Sequence, residues 1–509
     1  MYYNFFNGKF FIMFFSFFLI GLLLFTDKYG VLNNISGVGG QITTFNVDCD
    51  TLPYTDSEIY EQLFDINNVI TFDIDMDDSQ LILMDKDYVD NTDYIYRKAN
   101  LYVTIKNTKQ NTVYRYLIPE VGIRQKGNWH RAFYSKDNSE VYNLIHFKID
   151  FQQTFTNDNY YSGDSLHNWS DNHQKKLRKS RTFATLKKLN LKWNSNNDRS
   201  YIRTYYANEF FRDNGVLSSR VNLCALNLSD NKLGVYTLIE PVDKNFIEKN
   251  FSKSDQGGDL YKCARGNLKD DDIISIMNST DSIGVADDEK GLFYYYDKKT
   301  NKKVMKDGEV DHFDLINFIQ TLNKNNISKD DISAVVDMDY FLKFVAVSYF
   351  VANPDDMRND YNNYYIYFRK SDNKAIFIPY DNDNSFGVIK NFNNYLGVSI
   401  LASPYSNVTS KHESQENPLY IHTVDYGGFY VNDYTKVLKD VVKSDYLSKD
   451  RFSSIYKIAS DNYKSYTVDN KLFKNADYDL SFSDSEGEYN KTFYDYIDGV
   501  WDVYNCYVK

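Results

Sequence analysis

The stretch from Tyr340 to Gly387 constrains the fold more than any other part of this 509-residue chain. Tyr340 to Val351 is an apolar run of helical length, and it empties into a polar loop, Asn353 to Asn362. Two β-rich segments follow, Tyr364 to Arg369 and Ala375 to Pro379, about a turn at Ser371-Asp372-Asn373. A helical period giving way to a strand period over so short a distance places helix and hairpin side by side, which is an α+β arrangement. The second strand delivers Asp381 and Asp383 to its carboxyl end. Alternate residues of an extended chain point to one side, so both carboxylates are expected to face one cation. Hard oxygen donors of this kind suit Mg²⁺ or Ca²⁺ rather than zinc.

Upstream, Val69 to Leu83 alternates apolar and polar residues and reads as a strand, and "ANLYVTIKN" and "TVYRYLIPEVGIRQKG" follow as further strands. Residues 61–150 therefore predict an antiparallel β layer. Residues 31–60 read as a tether, small and polar without a period. Segment 152–183 is polar and carries "KKLRKSR" at Lys175 to Arg181; its plain reading is a solvated insertion, and its sharper one an anion-binding loop. Asp198 is a candidate N-cap for a helix whose apolar face is Ile202, Tyr205, Tyr206 and Phe210, with Asn214-Gly215 as its stop. Glu209 falls on that face and needs a cationic partner. "RVNLCALNL" and "LGVYTLIE" predict a hairpin, "VDKNFIEKNF" a helix, and Leu268 to Val310 an acidic loop. Helical periodicity returns at "HFDLINFIQTLN" and again from Asn432 onward.

The amino terminus holds the longest apolar run, Phe10 to Phe25, preceded by Lys9. No small-x-small cleavage site follows, so an uncleaved signal anchor over residues 1–30 is expected, with a cleaved signal peptide as the alternative. Lys9 on the amino side puts the body of the protein outside the cytoplasm, anchored to the membrane by that helix, with secretion or attachment to a surface or coat as the alternative. Cys49, Cys224, Cys263 and Cys506 form no CxxC and argue against a zinc site, while leaving reduced thiols and one or two disulfides both open. With 58 Lys plus Arg against 70 Asp plus Glu, the net charge of −12 argues against nucleic acid as a partner.

In a chain this acidic most Asp-x-Asp patterns are turns or solvated faces, and it is the order of parts that singles this one out. Asp355, then Asn363, a hairpin, and Asp381 followed by Phe386-Gly387 repeat the sequence of groups in a protein-kinase active site. "NPDDMRNDYNNYYIY" with "FIPYDNDNSFG" resembles the paired signature of the spore coat protein H (CotH) kinase family. "VGIRQKGNWH", "LKKLNLKWNSNNDRSYIRTYYANEFFRDNGV" and "LGVYTLIEPVDKNFIEKNF" are similar to three further elements of that family, in the same order. Departures are Tyr380 where the family has Trp, Asn362 where it has His, and Lys126-Gly127-Asn128-Trp129 where it has Arg-Gly-Asn-Ser. They touch the nucleotide side more than the metal side.

The resemblance implies a reduced, atypical protein-kinase-like bilobal fold over residues 120–440, with a β-rich amino-terminal part, a mainly helical carboxyl-terminal part and a helical extension over 441–509. It implies transfer of the ATP γ-phosphoryl group to Ser/Thr hydroxyls of a protein substrate, with Mg²⁺ or Mn²⁺. Asp355 would be the catalytic-loop acid, Asn363 a metal-side amide, Asp381 the principal metal ligand and Asp383 its companion, with Glu240 near the nucleotide. Lys148, in "IHFKIDF", is the choice for a phosphate-contacting lysine and Glu209 for its ion-pair partner; Arg124 and Lys126 are candidates for a phosphate-side turn. A catalytically weak surface adhesin or coat component is the alternative within the family, and a divalent-metal or carbohydrate-binding module the alternative outside it.

Overall fold

The computed structural model describes residues 43–46, 55–90, 92, 94–127, 144–169, 171–194, 198, 200–229, 231–277, 282–288, 291–302, 311–386, 403–405, 417–468, 482–484, 487–489 and 493–509. The chain forms two compact units, Met1–Trp193 with Cys224–Tyr236, and Asn194–Leu223 with Thr237–Lys509.

The first unit is built on β1 (Thr43–Asn46), β2 (Val69–Asp75), β3 (Arg97–Asn107), β4 (Thr112–Lys126), β5 (His146–Asp150), β6 (Lys188–Trp193), β7 (Val221–Leu228) and β8 (Asn231–Ile239). These strands run in the order β1-β4-β3-β2-β7-β8-β6-β5, and β4 also pairs with β5. The second pairing closes β4 through β5 into a ring and removes their free edges. Alternation along β3 buries Ala99, Leu101, Val103 and Ile105 on one side. The β layer is antiparallel through β2, β3 and β4, as its alternation predicts, but β2 meets β7 in parallel. Helices α1 (Asp56–Leu63) and α2 (Asp78–Val89) pack against β3.

Three readings of this part are corrected. The supposed tether contains β1, which pairs with β4, and α1, which opens on a capping box between Thr55 and Glu58. The strand at Val69 ends at Asp75; Leu81-Ile82-Leu83 belongs to α2, because the alternation breaks after Met76 and Asp77 takes the extended N-cap conformation. The basic stretch at Lys175 to Arg181 is solvated at Lys176, Leu177, Lys179 and Ser180, but two of its arginines are tied into the fold. It forms α3 (Asn172–Ser180), whose Arg178 is fully buried and meets the Glu120 carboxylate at 2.6 Å. Arg181 donates to the carbonyls of Phe151, Pro119 and Glu120. Burial would raise the Glu120 pKa, but hydrogen bonds from His167 and Arg178 outweigh it and hold the group at about 2. That stabilisation is present above the ordinary value of 4.5 and is lost as pH falls toward 2. Arg178→Met is expected to cost about 3 kcal/mol at pH 7, measured by urea unfolding, and much less at pH 2.

The second unit contains β9 (Leu260–Cys263), β10 (Ser282–Asp288), β11 (Gly291–Lys298), β12 (Tyr364–Phe368) and β13 (Ala375–Pro379), in the order β10-β11-β9-β12-β13. Its helices are α4 (Arg203–Asp213), α5 (Lys244–Asn250), α6 (Asp270–Met277), α7 (Phe313–Leu322), α8 (Lys329–Val335), α9 (Met338–Val351), the single turn α10 (Met357–Asp360), α11 (Pro418–Thr423), α12 (Val431–Val441), α13 (Lys449–Tyr463) and α14 (Phe493–Tyr507). The acidic loop expected over Leu268 to Val310 is instead α6, β10 and β11 among its described residues, since Phe293 to Tyr296 supply β propensity that the flanking acids mask. β12 and β13 are buried on both faces. Leu260, Tyr365, Tyr367, Ile376 and Ile378 pack against Phe246 and Ile247 of α5. On the other face Phe377 meets Phe341 and Phe344 of α9, with ring centroids 5.0 and 5.8 Å apart. Over residues 441–509 the described elements include α13, an antiparallel pair of short strands (Phe482–Asp484 with Gly487–Tyr489), and α14.

Cys224 and Cys263 are buried free thiols and Cys506 is an exposed one. Cys49 and the apolar run Phe10 to Phe25 lie outside the described residues. Among the described residues no helix is long and apolar enough to cross a membrane.

Candidate active site

α9 ends where Ala352 turns into the left-handed conformation, and the polar loop begins. Asn353, wholly buried, ties that loop to the end of the hairpin. Its Oδ1 accepts from the Asp355 amide at 3.1 Å, its Nδ2 donates to the Asp381 carbonyl at 3.1 Å, and its carbonyl accepts from Asn359 Nδ2 at 2.9 Å. Tyr380 N donates to the Asn363 carbonyl at 2.9 Å, and Phe386 N to the Val351 carbonyl at 2.9 Å. The two segments that carry the candidate acids are therefore sewn together by backbone and amide bonds.

Asp355 and Asn363 meet directly. Asn363 Nδ2 donates to Asp355 Oδ2 at 2.8 Å and to its carbonyl at 2.9 Å, while Asn362 Nδ2 holds Oδ1 at 2.9 Å. Burial pushes the Asp355 carboxyl up to about 6; the Asn362 hydrogen bond opposes the rise, and the charges of Asp360 and Asp381 add to it. A carboxyl titrating near neutrality and fixed by two amides is suited to accept a proton. Beside it, Asp356 caps α10 through the Asn359 amide at 2.8 Å, and burial lifts its carboxyl to about 7.

Asp381 and Asp383 do not lie on one side of an extended strand, as the sequence pattern suggests. β13 stops at Pro379, Asp381 takes left-handed angles (φ 58°, ψ 57°), and Asn382–Asn384 forms a 3₁₀ turn. Asn382 and Asn384 are buried, whereas Asp381 and Asp383 are half-buried, so the turn keeps both acids accessible while it anchors the amides between them. Ala352, Tyr361, Asn363, Asp381 and Phe386 all adopt positive φ, costing of order 1–3 kcal/mol each. Such a concentration of strained residues marks a place where geometry is set against local preference.

Support comes from α4. Arg203 is completely buried; its Nη1 donates to the carbonyls of Ser385 at 2.9 Å and Phe386 at 2.5 Å, and its Nε lies 3.3 Å from Asp198. Asp198 precedes the helix by more than an N-cap residue does, since the N-cap position is Ile202. Its carboxylate nevertheless accepts from Arg203 N at 3.0 Å and so performs the capping expected of it. The Phe386 ring is enclosed by Tyr206, Phe493 and Tyr496, with centroids 5.5 to 5.6 Å away. Aromatic side chains thus hold the segment that follows Asp383.

The remaining candidates divide between the units. Arg124 and Lys148 are cross-strand neighbours on β4 and β5, and Lys126 lies opposite His146; all three belong to the first unit. Asn128 and Trp129 fall outside the described residues. Glu209 is half-buried, and its partner is Arg212 of its own helix at 3.4 Å, where Lys148 was expected. An i,i+3 pair was available in the sequence at that spacing. Glu240 is buried and pairs with Lys249 of α5 at 2.7 Å, so the carboxylate fastens α5 to the end of β8. Asn353, Asp356 and Arg203 were not anticipated; the Asn-x-Asp spacing was visible for the first, but only tertiary packing identifies the third.

A Mg²⁺ site is compatible with these residues. Asn363 spends its amide nitrogen on Asp355, which leaves its amide oxygen as the atom to offer a cation, together with the half-buried carboxylates of Asp381 and Asp383. Among the described residues no group of three or more His, Cys, Asp or Glu could hold a metal ion. Mg²⁺ fits such a sparse set, because it keeps several waters and takes one or two carboxylates together with substrate phosphates.

The sequence profile of the CotH kinase protein family matches residues 123–494, well over half of the chain. Inner spore coat protein H of Bacillus subtilis (strain 168) is 27% identical over 195 residues, covering 37% of this chain and 48% of that protein. The aligned part thus spans about half of the relative's length. The family match spans both Asp355 and Asp381: the chain belongs to the CotH kinase protein family.

Proposed function

We propose that this protein is a phosphotransferase that moves the γ-phosphoryl group of ATP to a Ser or Thr hydroxyl of a coat or surface protein. The observation that carries the reading is the Asp355 carboxylate, half-buried, fixed by Asn362 and Asn363, and lifted toward neutrality with Asp381 contributing to the rise. Asp355 accepts the proton of the acceptor hydroxyl as its oxygen bonds to phosphorus and the bond to the β-phosphate oxygen breaks. Asp381 and Asp383, with the Asn363 amide oxygen, hold the cation. Bound Mg²⁺–ATP supplies the phosphoryl group and the positive charge that offsets developing negative charge. The coat relative's name motivates a coat-associated client. The relative's printed name, a coat protein, favours a second reading, a catalytically weak coat component.

The test is incubation of the full chain with γ-labelled ATP and Mg²⁺, alone and with a Ser/Thr-rich acceptor. Label is expected in the acceptor or the chain itself, and none when EDTA removes the metal. Wild type that transfers no label under any of these conditions would leave the coat-component reading in its place.

A further inference from the structure

Lys262 stands on β9, opposite Asp297 of β11 on one side and Tyr365 of β12 on the other, so the three share one sheet face. It belongs to the same unit as Asp381, which Lys148 does not. Its Nζ lies 4.6 Å from the centroid of the Tyr380 ring. Tyr380 is itself fixed twice, by edge-on contact with Tyr365 at 5.4 Å and by its backbone bond to the Asn363 carbonyl. The carboxylate across the strand is occupied elsewhere: Asp297 pairs with Lys299 and, at 3.4 Å, with Lys302. Among the described residues Lys262 takes part in no ion pair.

The Lys262 stem is half-buried, and with no carboxylate on it among the described residues its charge is available to an anion. The aromatic face holds the ammonium without using its three N–H donors. This ammonium rests on the residue next to Asp381, with Lys299 and Lys302 on the neighbouring strand and the segment after it. Cation held by aspartates on one side of Tyr380 and ammonium on its ring together match a polyphosphate chain, whose charge is distributed along several oxygens.

We propose that Lys262, seated on Tyr380, is the lysine that receives the phosphate groups of the nucleotide, the role that the sequence assigns to Lys148. The proposal rests on the phosphotransferase reading and names a residue that the reading leaves unassigned within the second unit. Tyr380 acts as a positioning residue for it.

Calorimetric titration of Mg²⁺–ADP, and separately of tripolyphosphate, into the full chain tests this without reference to turnover. Lys262→Met is expected to weaken both ligands by about tenfold or more, as loss of a charge-assisted hydrogen bond implies, and Lys262→Arg to retain most of the affinity. If the Met variant departs from the wild-type circular dichroism spectrum, Lys262→Gln replaces it in the same titration. Undiminished affinity in the neutral variant, or a loss seen in Lys148→Met instead, overturns the assignment while leaving the phosphotransferase reading intact. Wild type that binds neither ligand overturns both.

Discussion

Asp355→Asn is expected to lower the rate of phosphoryl transfer by about a thousandfold while changing nucleotide affinity by less than about twofold. The acid is placed to receive a proton and not to bind the nucleotide, so the loss belongs in kcat rather than KM. The wild-type rate is expected to rise with pH through about 6, where burial has placed the carboxyl, and the variant's residual rate to lack that inflection. Stability moves the other way. Because the folded pKa stands above the ordinary 3.8, the carboxyl binds its proton more tightly in the folded state, so stability is fullest below 3.8 and falls as pH rises toward 6. At pH 7 wild type carries a half-buried charge that the amide variant lacks. Asp355→Asn is therefore expected to melt higher than wild type at pH 7 and to lose that advantage near pH 4. A variant both inactive and less stable at neutral pH would mean that Asp355 serves the fold and not the chemistry.

The second large effect concerns Arg203. Its guanidinium joins the start of α4 to the carbonyls of Ser385 and Phe386, and among the described residues its acid partner is Asp198, buried with it. Arg203→Met would leave the buried Asp198 charge without its counter-ion and two carbonyls without their donor, at about 4 kcal/mol. Urea unfolding at pH 7 reads that loss as a lower midpoint at unchanged slope. Arg203→Lys keeps the charge but not the fork, and is expected to recover less than half of the loss. If Arg203→Met unfolds at the wild-type midpoint, the segment after Asp383 is held by its aromatic contacts alone.

Much of this site was legible from local order. Asp355 and Asn363 are eight residues apart on either side of a short turn, and the structure closes them to 2.8 Å. The apolar period of α9 and the hairpin of β12 and β13 were equally plain, since each rests on a continuous periodic run. Asp381 was placed at the right end of the right strand but in the wrong backbone conformation. A left-handed aspartate is unfavourable on its own, and bonds from Asn353 and Asn363 hold its neighbourhood in place. Long-range partners left no such trace. The contact of Arg203 with Ser385, and the seating of Lys262 on Tyr380, each join residues more than a hundred positions apart, and no period or spacing encodes them. The basic run at Lys175 to Arg181 shows the same limit, because two of its arginines serve buried carbonyls and a carboxylate that composition cannot foresee.

Asp381, Asp383 and Asn363 are expected to hold the metal of a nucleotide beside Asp355. Crystals of the full chain grown with Mn²⁺ and ADP, measured at the manganese absorption edge, locate that metal directly. An anomalous peak against the Asp381 carboxylate, with ADP oxygens and the Asn363 amide oxygen around it, is the predicted result. Bound ADP whose manganese peak lies away from Asp381 would contradict the account.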